Sequence, residues 1–173
     1  MLFNDIPRLP ILTYHIDVPL SLIKRNIDIY IKDHDLDFNP EFQRGYVWSE
    51  FQKTAYMEWI LRGGRSGLNI YFNHPGWMRD FKGRMVLVDG KQRLSAIDDF
   101  FNNKLKVFGC YFNEYADNIP LDYSLSFYVA KLKTELEVVD WYIAMNTGGS
   151  VHTDSDINKA KEYRQRLINT EKK

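Results

Sequence analysis

The clearest pattern in the chain lies in SEFQKTAYMEWILRGG, from Ser49 to Gly64. Its apolar residues recur at helical spacing, which puts Phe51, Ala55, Trp59 and Ile60 on one face. Ser49 and Gln52 form a capping box before it, and Gly63-Gly64 stops it. The same period returns in KQRLSAIDDFFNN, where Leu94, Ile97, Phe100 and Phe101 face inward, and in LEVVDWYIAM. The second of these follows a capping box of Thr134 and Glu137 and ends at NTGGS. DVPLSLIKRNIDIYIKD predicts a helix with Asp17 as N-cap and Pro19 in the first turn, although its β-branched IDIYI also suits a strand. DSDINKAKEYRQRLINTEKK predicts a final helix with a basic exposed face.

Four segments read as strands: LNIYF, RMVLVD, KLKVFGCYF and SLSFYVAKL. RMVLVD is apolar nearly throughout and predicts a central strand. LDFNPEFQRGYVW, broken by Asn39-Pro40 and Gly45, and NHPGWMRDFKG read as loops. Helices and strands are interspersed without repeats or long linkers. The 173 residues therefore predict one α+β or mixed α/β domain over 1–173.

Composition narrows the chemistry. The 23 basic and 23 acidic side chains balance, so net charge alone argues for neither a nucleic-acid nor a membrane partner. Cys110 is the only cysteine, which excludes an intrachain disulfide and a cysteine zinc cluster and suggests a small core residue. The histidines (His15, His34, His74, His152) are scattered without metal-ligand spacing, and only His152 neighbours a motif of interest. No stretch approaches the roughly 18 apolar residues of a membrane span, and the N-terminus lacks the apolar core of a secretion signal. A cytosolic protein is expected.

The junction VLVDGKQRLSAIDDFF raises the chemical question, because a strand passes to a helix through Asp89-Gly90-Lys91-Gln92-Arg93. The backbone donors and dipole of a helix start favour an anion. Gly90 would let a phosphate approach the backbone, and Lys91 and Arg93 would add charge, Arg93 in a bidentate fork. Asp89 is a candidate to hold magnesium or to orient Arg93. The plain alternative is a helix capped by Asp89, with Arg93 paired to it. Neither a Walker A loop nor a G-x-G-x-x-G motif is present.

Two further clusters stand alone as ordinary features: Phe42-Gln43-Arg44-Gly45-Tyr46-Val47-Trp48 as a pinned loop, and Asn146-Thr147-Gly148-Gly149 as a helix stop. Taken in order, PEFQRGYVW, VDGKQRLSAI and AMNTGGSVHTDSDINKA resemble the N-terminal domain of GmrSD-type modification-dependent restriction enzymes over about residues 17–163. That family is in turn similar to the ParB and sulfiredoxin superfold. The resemblance implies a small mixed sheet with surrounding helices and nucleotide phosphates at the matching helix start. It also implies nucleotide-binding roles for Arg44, Gly90, Lys91, Gln92, Arg93, Asn146, Gly148 and Gly149. Lys91 stands where the family commonly has Gln, which keeps a polar donor and adds charge. Lys91 and Gln92 occupy the positions where sulfiredoxins carry their catalytic Cys, so that chemistry is not expected. Longer family members continue into an HNH-type nuclease domain. No such domain is recognisable here, and DNA cleavage by this chain alone is not expected.

Three functions follow for testing. The first is a magnesium-dependent nucleoside triphosphatase with Asp89 and Arg93 as catalytic residues and Mg2+ on Asp89. The second is a non-catalytic module that senses nucleotide or DNA and acts with, or against, a separate nuclease in DNA restriction or phage–host conflict. In that reading Lys159, Lys161, Arg164 and Arg166 of the last helix, with Lys172 and Lys173, are candidate contacts to the nucleic-acid backbone, and Trp77 and Phe81 are candidates for base stacking. The third is an interaction protein with a degenerate pocket.

Overall fold

The computed structural model describes residues 14–43, 45–147 and 154–171. The elements run β1 (Tyr14–Pro19), a 3-10 turn (Leu20–Leu22), α1 (Ile23–His34), α2 (Glu50–Leu61), β2 (Asn69–Asn73) and β3 (Val86–Asp89). They continue with α3 (Lys91–Phe101), a 3-10 turn (Phe112–Glu114), β4 (Ser124–Ala130), α4 (Glu135–Thr147) and α5 (Asp154–Glu171). Four strands form one sheet in the order β1-β4-β2-β3. β4 pairs antiparallel with β1 and parallel with β2, while β2 and β3 are antiparallel. This is the small mixed sheet of an α+β fold.

The sheet is covered on both faces. Alternation along β4 sends Leu125, Phe127 and Val129 to one side, where they meet Ile70 and Phe72 of β2. Tyr30 of α1, Met57 and Ile60 of α2, and Leu94, Ile97 and Phe100 of α3 close over them. On the other side Val88 and Ala130 pack with Phe42, Val139, Trp141 and Tyr142, and with Ala160 of α5.

Both capping boxes form. Ser49 Oγ accepts from Gln52 N (3.3 Å) while Gln52 Oε1 accepts from Ser49 N (2.9 Å). Thr134 Oγ1 accepts from Glu137 N (3.2 Å) while Glu137 Oε2 accepts from Thr134 N (2.9 Å).

The structure corrects four expectations. Asp17 does not cap α1: it lies in β1, where its carboxylate accepts from Ser126 Oγ (2.6 Å), and the helix starts later, at Ile23. RMVLVD is an edge strand rather than a central one. It is apolar because Leu87 enters one core and Val88 the other. Its outer edge is also occupied. Asp37 N donates to Met85 O (2.8 Å), Leu87 N donates to Asp37 O (3.0 Å), and Gln43 Nε2 donates to the carbonyls of Leu87 (2.5 Å) and Val88 (2.8 Å).

KLKVFGCYF is not a strand. Val107 and Cys110 exchange backbone hydrogen bonds of 2.9 and 3.1 Å across a tight turn, with Phe108 and Gly109 at positive φ. Leu105 and Val107 anchor that turn in the core, while Cys110 is only half-buried. The face assigned to α2 is also rotated. Met57 and Ile60 are buried, whereas Phe51 is 80% and Trp59 49% exposed. Helical spacing shows that a stripe exists, but an aromatic residue satisfies it equally well beside a pocket.

Candidate functional site

The passage from β3 to α3 turns on Gly90. Its φ of 115° is one that side-chain-bearing residues rarely adopt, and a Cβ there would stand 2.4 Å from Ile70 Cδ1. Ile70 is fully buried beneath it, so this position needs glycine for packing reasons before any ligand is considered. Gly90 is itself the N-cap, and no side chain caps α3. Asp89 therefore does not act as the cap. Its carboxylate pairs with Arg93 one turn on, and Arg93 Nη1 also donates to Asn69 O (2.6 Å). The plain alternative is thus half realised: the ion pair forms and the cap does not.

Gln92 points its polar end back at the FQR loop. Its Oε1 accepts from Val47 N (3.1 Å) and Trp48 N (3.2 Å), and its Nε2 donates to Gly45 O (2.9 Å). One amide side chain thereby fixes two sequence-remote motifs together. Lys91 is buried against the ring of Tyr46, with Nζ 4.6 Å from the ring centroid. Burial lowers its ammonium pKa, and the nearby positive charge of Lys159 lowers it further, with Asp37 opposing. Lys159 in turn donates to Gln43 O (2.8 Å).

These groups border a cavity of about 470 Å3, lined by Gln43, Trp48, Tyr56, Trp59, Ser66, Gly67, Val88, Asp89, Gly90, Lys91, Gln92, Arg93, Tyr142 and Asn146. Its size lies within the usual span of small-molecule sites, roughly 300–1,000 Å3. Asn146 is buried and donates to Tyr142 O (2.7 Å), one turn back on its own helix. Tyr56 donates to Gly67 O (3.0 Å), and burial raises its phenol pKa while the nearby Arg93 charge opposes.

The cavity thus gathers six of the residues singled out from the sequence: Asp89, Gly90, Lys91, Gln92, Arg93 and Asn146. Arg44, Gly148 and Gly149, with His152, Lys172 and Lys173, lie outside the described residues. The last helix is less openly basic than its sequence suggests. Arg164 pairs with Asp140 and Arg166 with Glu41, while Lys161 is exposed. Lys159 sits nearer the cavity than its assignment to an outer nucleic-acid face implied. Trp77 is not a stacking surface. It is 5% exposed and packs edge-on to Tyr14, Tyr30 and His34. Phe81 stays partly exposed beside it.

The wall that sequence reasoning missed is aromatic. Trp48 and Tyr56 meet edge-to-face at 5.3 Å, and Trp59 follows Tyr56 along α2. The available signal was the Tyr56–Trp59 spacing just ahead of two glycines.

Among the described residues, no group of three or more His, Cys, Asp or Glu could hold a metal ion. Asp89 is the only carboxylate among the described residues of the cavity lining. That donor set does not suit a resident metal. A single carboxylate could serve only an ion, such as magnesium, that takes most of its ligands from water or from a bound phosphate group.

The fold is thus a mixed α+β domain whose pocket, with a cationic and partly aromatic lining, opens at a helix start that no side chain caps. The sequence places it more closely. The family model described as GmrSD restriction endonuclease, N-terminal domain, matches residues 25–126, and the chain belongs to that family. The match runs from within α1 to within β4 and takes in both the FQR and DGKQR segments, whereas Tyr142 and Asn146 of the pocket lie beyond it. No curated protein and no solved structure matches the chain. No helix among the described residues is long and apolar enough to cross a membrane.

Proposed function

We propose that the chain is a nucleoside-triphosphate-binding domain, with the phosphates received at the start of α3. The observation that carries this reading is convergence. Segments about 45 and 55 residues away in sequence, around Gln43 and Asn146, line the same cavity as Asp89 to Arg93. Backbone donors at an uncapped helix start, Lys91, and Arg93 held by Asp89 form an environment that a polyphosphate would neutralise. Burial, and then the positive charge of Lys159, disfavour the Lys91 ammonium, a cost that a bound anion would offset.

Asp89 orients Arg93 in this reading. Magnesium bound with the triphosphate would offset phosphate charge, and Asp89 is its candidate protein ligand only where the Arg93 pair gives way. Hydrolysis through Asp89 requires that carboxylate to exchange Arg93 for a metal ion or a water. Because Asp89 is already paired, the geometry favours binding over turnover, and with it a sensing module serving a nuclease. Membership of a restriction-endonuclease domain family supports a role in DNA restriction with a linked or separate nuclease as partner. DNA itself, contacted through Lys161, Arg164 and Arg166, is a further partner proposed on the same footing.

The test is thermal melting of wild type and Arg93→Ala against ATP, GTP, CTP and UTP with magnesium. Ligand at 100 times Kd adds about 2.7 kcal/mol, a rise of roughly 5–11 °C for a chain this size. The reading predicts such a rise for wild type and its loss in R93A. No rise with any nucleotide overturns it. Phosphate release under the same conditions separates turnover from binding.

A further inference from the structure

Trp59 carries an unexplained combination: it is held rigidly, yet half of it is open. Its indole Nε1 donates to Ser66 O (3.2 Å). A Cβ built on Gly64 would lie 2.2, 2.4 and 2.4 Å from Cε2, Cδ2 and Nε1 of the ring. Such near-equal distances put Gly64 over the ring plane rather than at its edge. One face is therefore packed against backbone, while 49% of the residue stays exposed. Gly64 N bonds back to Trp59 O (2.9 Å), which locks the turn that carries it. A core tryptophan would be buried, and a surface one would have no need of a glycine fitted to its face.

The ring also lines the pocket described above, together with Tyr56 and the start of α3. Tyr56 senses the charges of Arg93 and Asp89, so it stands at the polar end. Trp59 is three residues further along α2, about 4.5 Å in helix rise. Ser66 and Gly67 carbonyls are already taken by Trp59 and Tyr56. The wall consequently presents a π face and few free base-reading groups.

We propose that the open face of Trp59 is the platform on which the nucleobase of the bound nucleotide stacks. This rests on the nucleotide reading above. Stacking reads a π face that every base possesses, so it separates nucleotides from bare polyphosphate more than one base from another.

The test is calorimetric titration of the full chain with magnesium ATP and with magnesium tripolyphosphate, for wild type, Trp59→Ala and Trp59→Phe. Base–aromatic stacking implies that W59A weakens ATP about 5- to 150-fold while tripolyphosphate affinity stays within about twofold. W59F should recover most of the ATP affinity, which a purely structural role for the indole would not produce. Equal weakening of both ligands in W59A, or unchanged ATP affinity, overturns the platform and leaves the phosphate site standing. Wild type that binds tripolyphosphate as tightly as ATP does the same. Wild type that binds neither overturns the nucleotide reading and the platform with it.

Discussion

Gln92 offers the sharpest check on how the site is assembled. Replacing it with Ala removes three hydrogen bonds at once, those to Gly45 O, Val47 N and Trp48 N. Each is worth about 1 kcal/mol net, which sets a ceiling near 3 kcal/mol. Gly45 and Val47 are exposed, so water can replace part of what is lost, whereas Trp48 is only half-exposed. The expected cost is therefore roughly 1–3 kcal/mol, read as the shift in urea unfolding free energy. Amide hydrogen exchange gives the local readout. Val47 and Trp48 should be protected in wild type and exchange freely in Q92A, while the α2 amides of the same protein stay slow. Gln92→Glu should fall between the two, because it keeps the acceptor for both amides and loses the donor to Gly45 O. A Q92A protein within about 0.5 kcal/mol of wild type, with Val47 and Trp48 still protected, would refute the claim that this side chain ties the FQR loop to α3.

Other consequences are equally concrete. Gly90→Ala must hold a left-handed backbone and push a methyl into Ile70, so it should lose roughly 2–4 kcal/mol, measured by denaturant unfolding; a neutral result would contradict the packing at this turn. Lys53 reaches Asp99 Oδ2 (2.5 Å) and Ser95 Oγ (2.9 Å) from a largely buried position, so K53M should cost about 1.5–3 kcal/mol, whereas K24M, which breaks the exposed Lys24–Asp28 pair, should leave the unfolding midpoint in place. Burial and then the neighbouring His34 hold the His74 pKa below its ordinary value. The unfolded chain therefore takes up a proton that the folded chain resists, and stability present at pH 7 is lost as pH falls below about 6.5. His74→Gln should flatten that slope between pH 7 and 5 in unfolding experiments, and an unchanged slope would count against it. Carboxylates held low by hydrogen bonds, such as Asp17 and Glu137, act only further down, in the carboxylate range.

Local signals were the most legible part of the sequence. Both capping boxes formed where Ser49–Gln52 and Thr134–Glu137 placed them, because each is completed within four residues. The inward residues Leu94, Ile97 and Phe100 of α3 were equally readable, since helical spacing alone sets them. Errors came where tertiary partners decide. Val86 to Asp89 looks central because two cores and a loop cover it, and local hydrophobicity cannot separate that from a strand with two neighbours. KLKVFGCYF has strand-like residues but adopts a turn, because Phe108 and Gly109 take positive φ there. Asp17 has the chemistry of a cap and was claimed instead by Ser126, 109 residues away.

The site shows the same division. Asp89, Lys91 and Arg93 were identifiable as a charged junction, but pairing and packing assigned their roles. Gln92, read as a phosphate contact, spends its amide on the FQR loop. Trp59, read as core, lines the cavity because Gly64 underlies its ring. In the sequence only the family resemblance joined Asn146 to Gly90; in the fold α4, packed on β3 and α5, brings the two to one cavity.

The most direct test of the central claim is an amide-resolved NMR titration of the protein with magnesium ATP. If the start of α3 receives the triphosphate, the largest saturable shifts fall on the amides of Gly90, Lys91, Gln92 and Arg93 and on the side-chain amide of Asn146. Saturating nucleotide that leaves those resonances in place, or moves only exposed α5 residues such as Lys161, would contradict the assignment of this pocket as a nucleotide site.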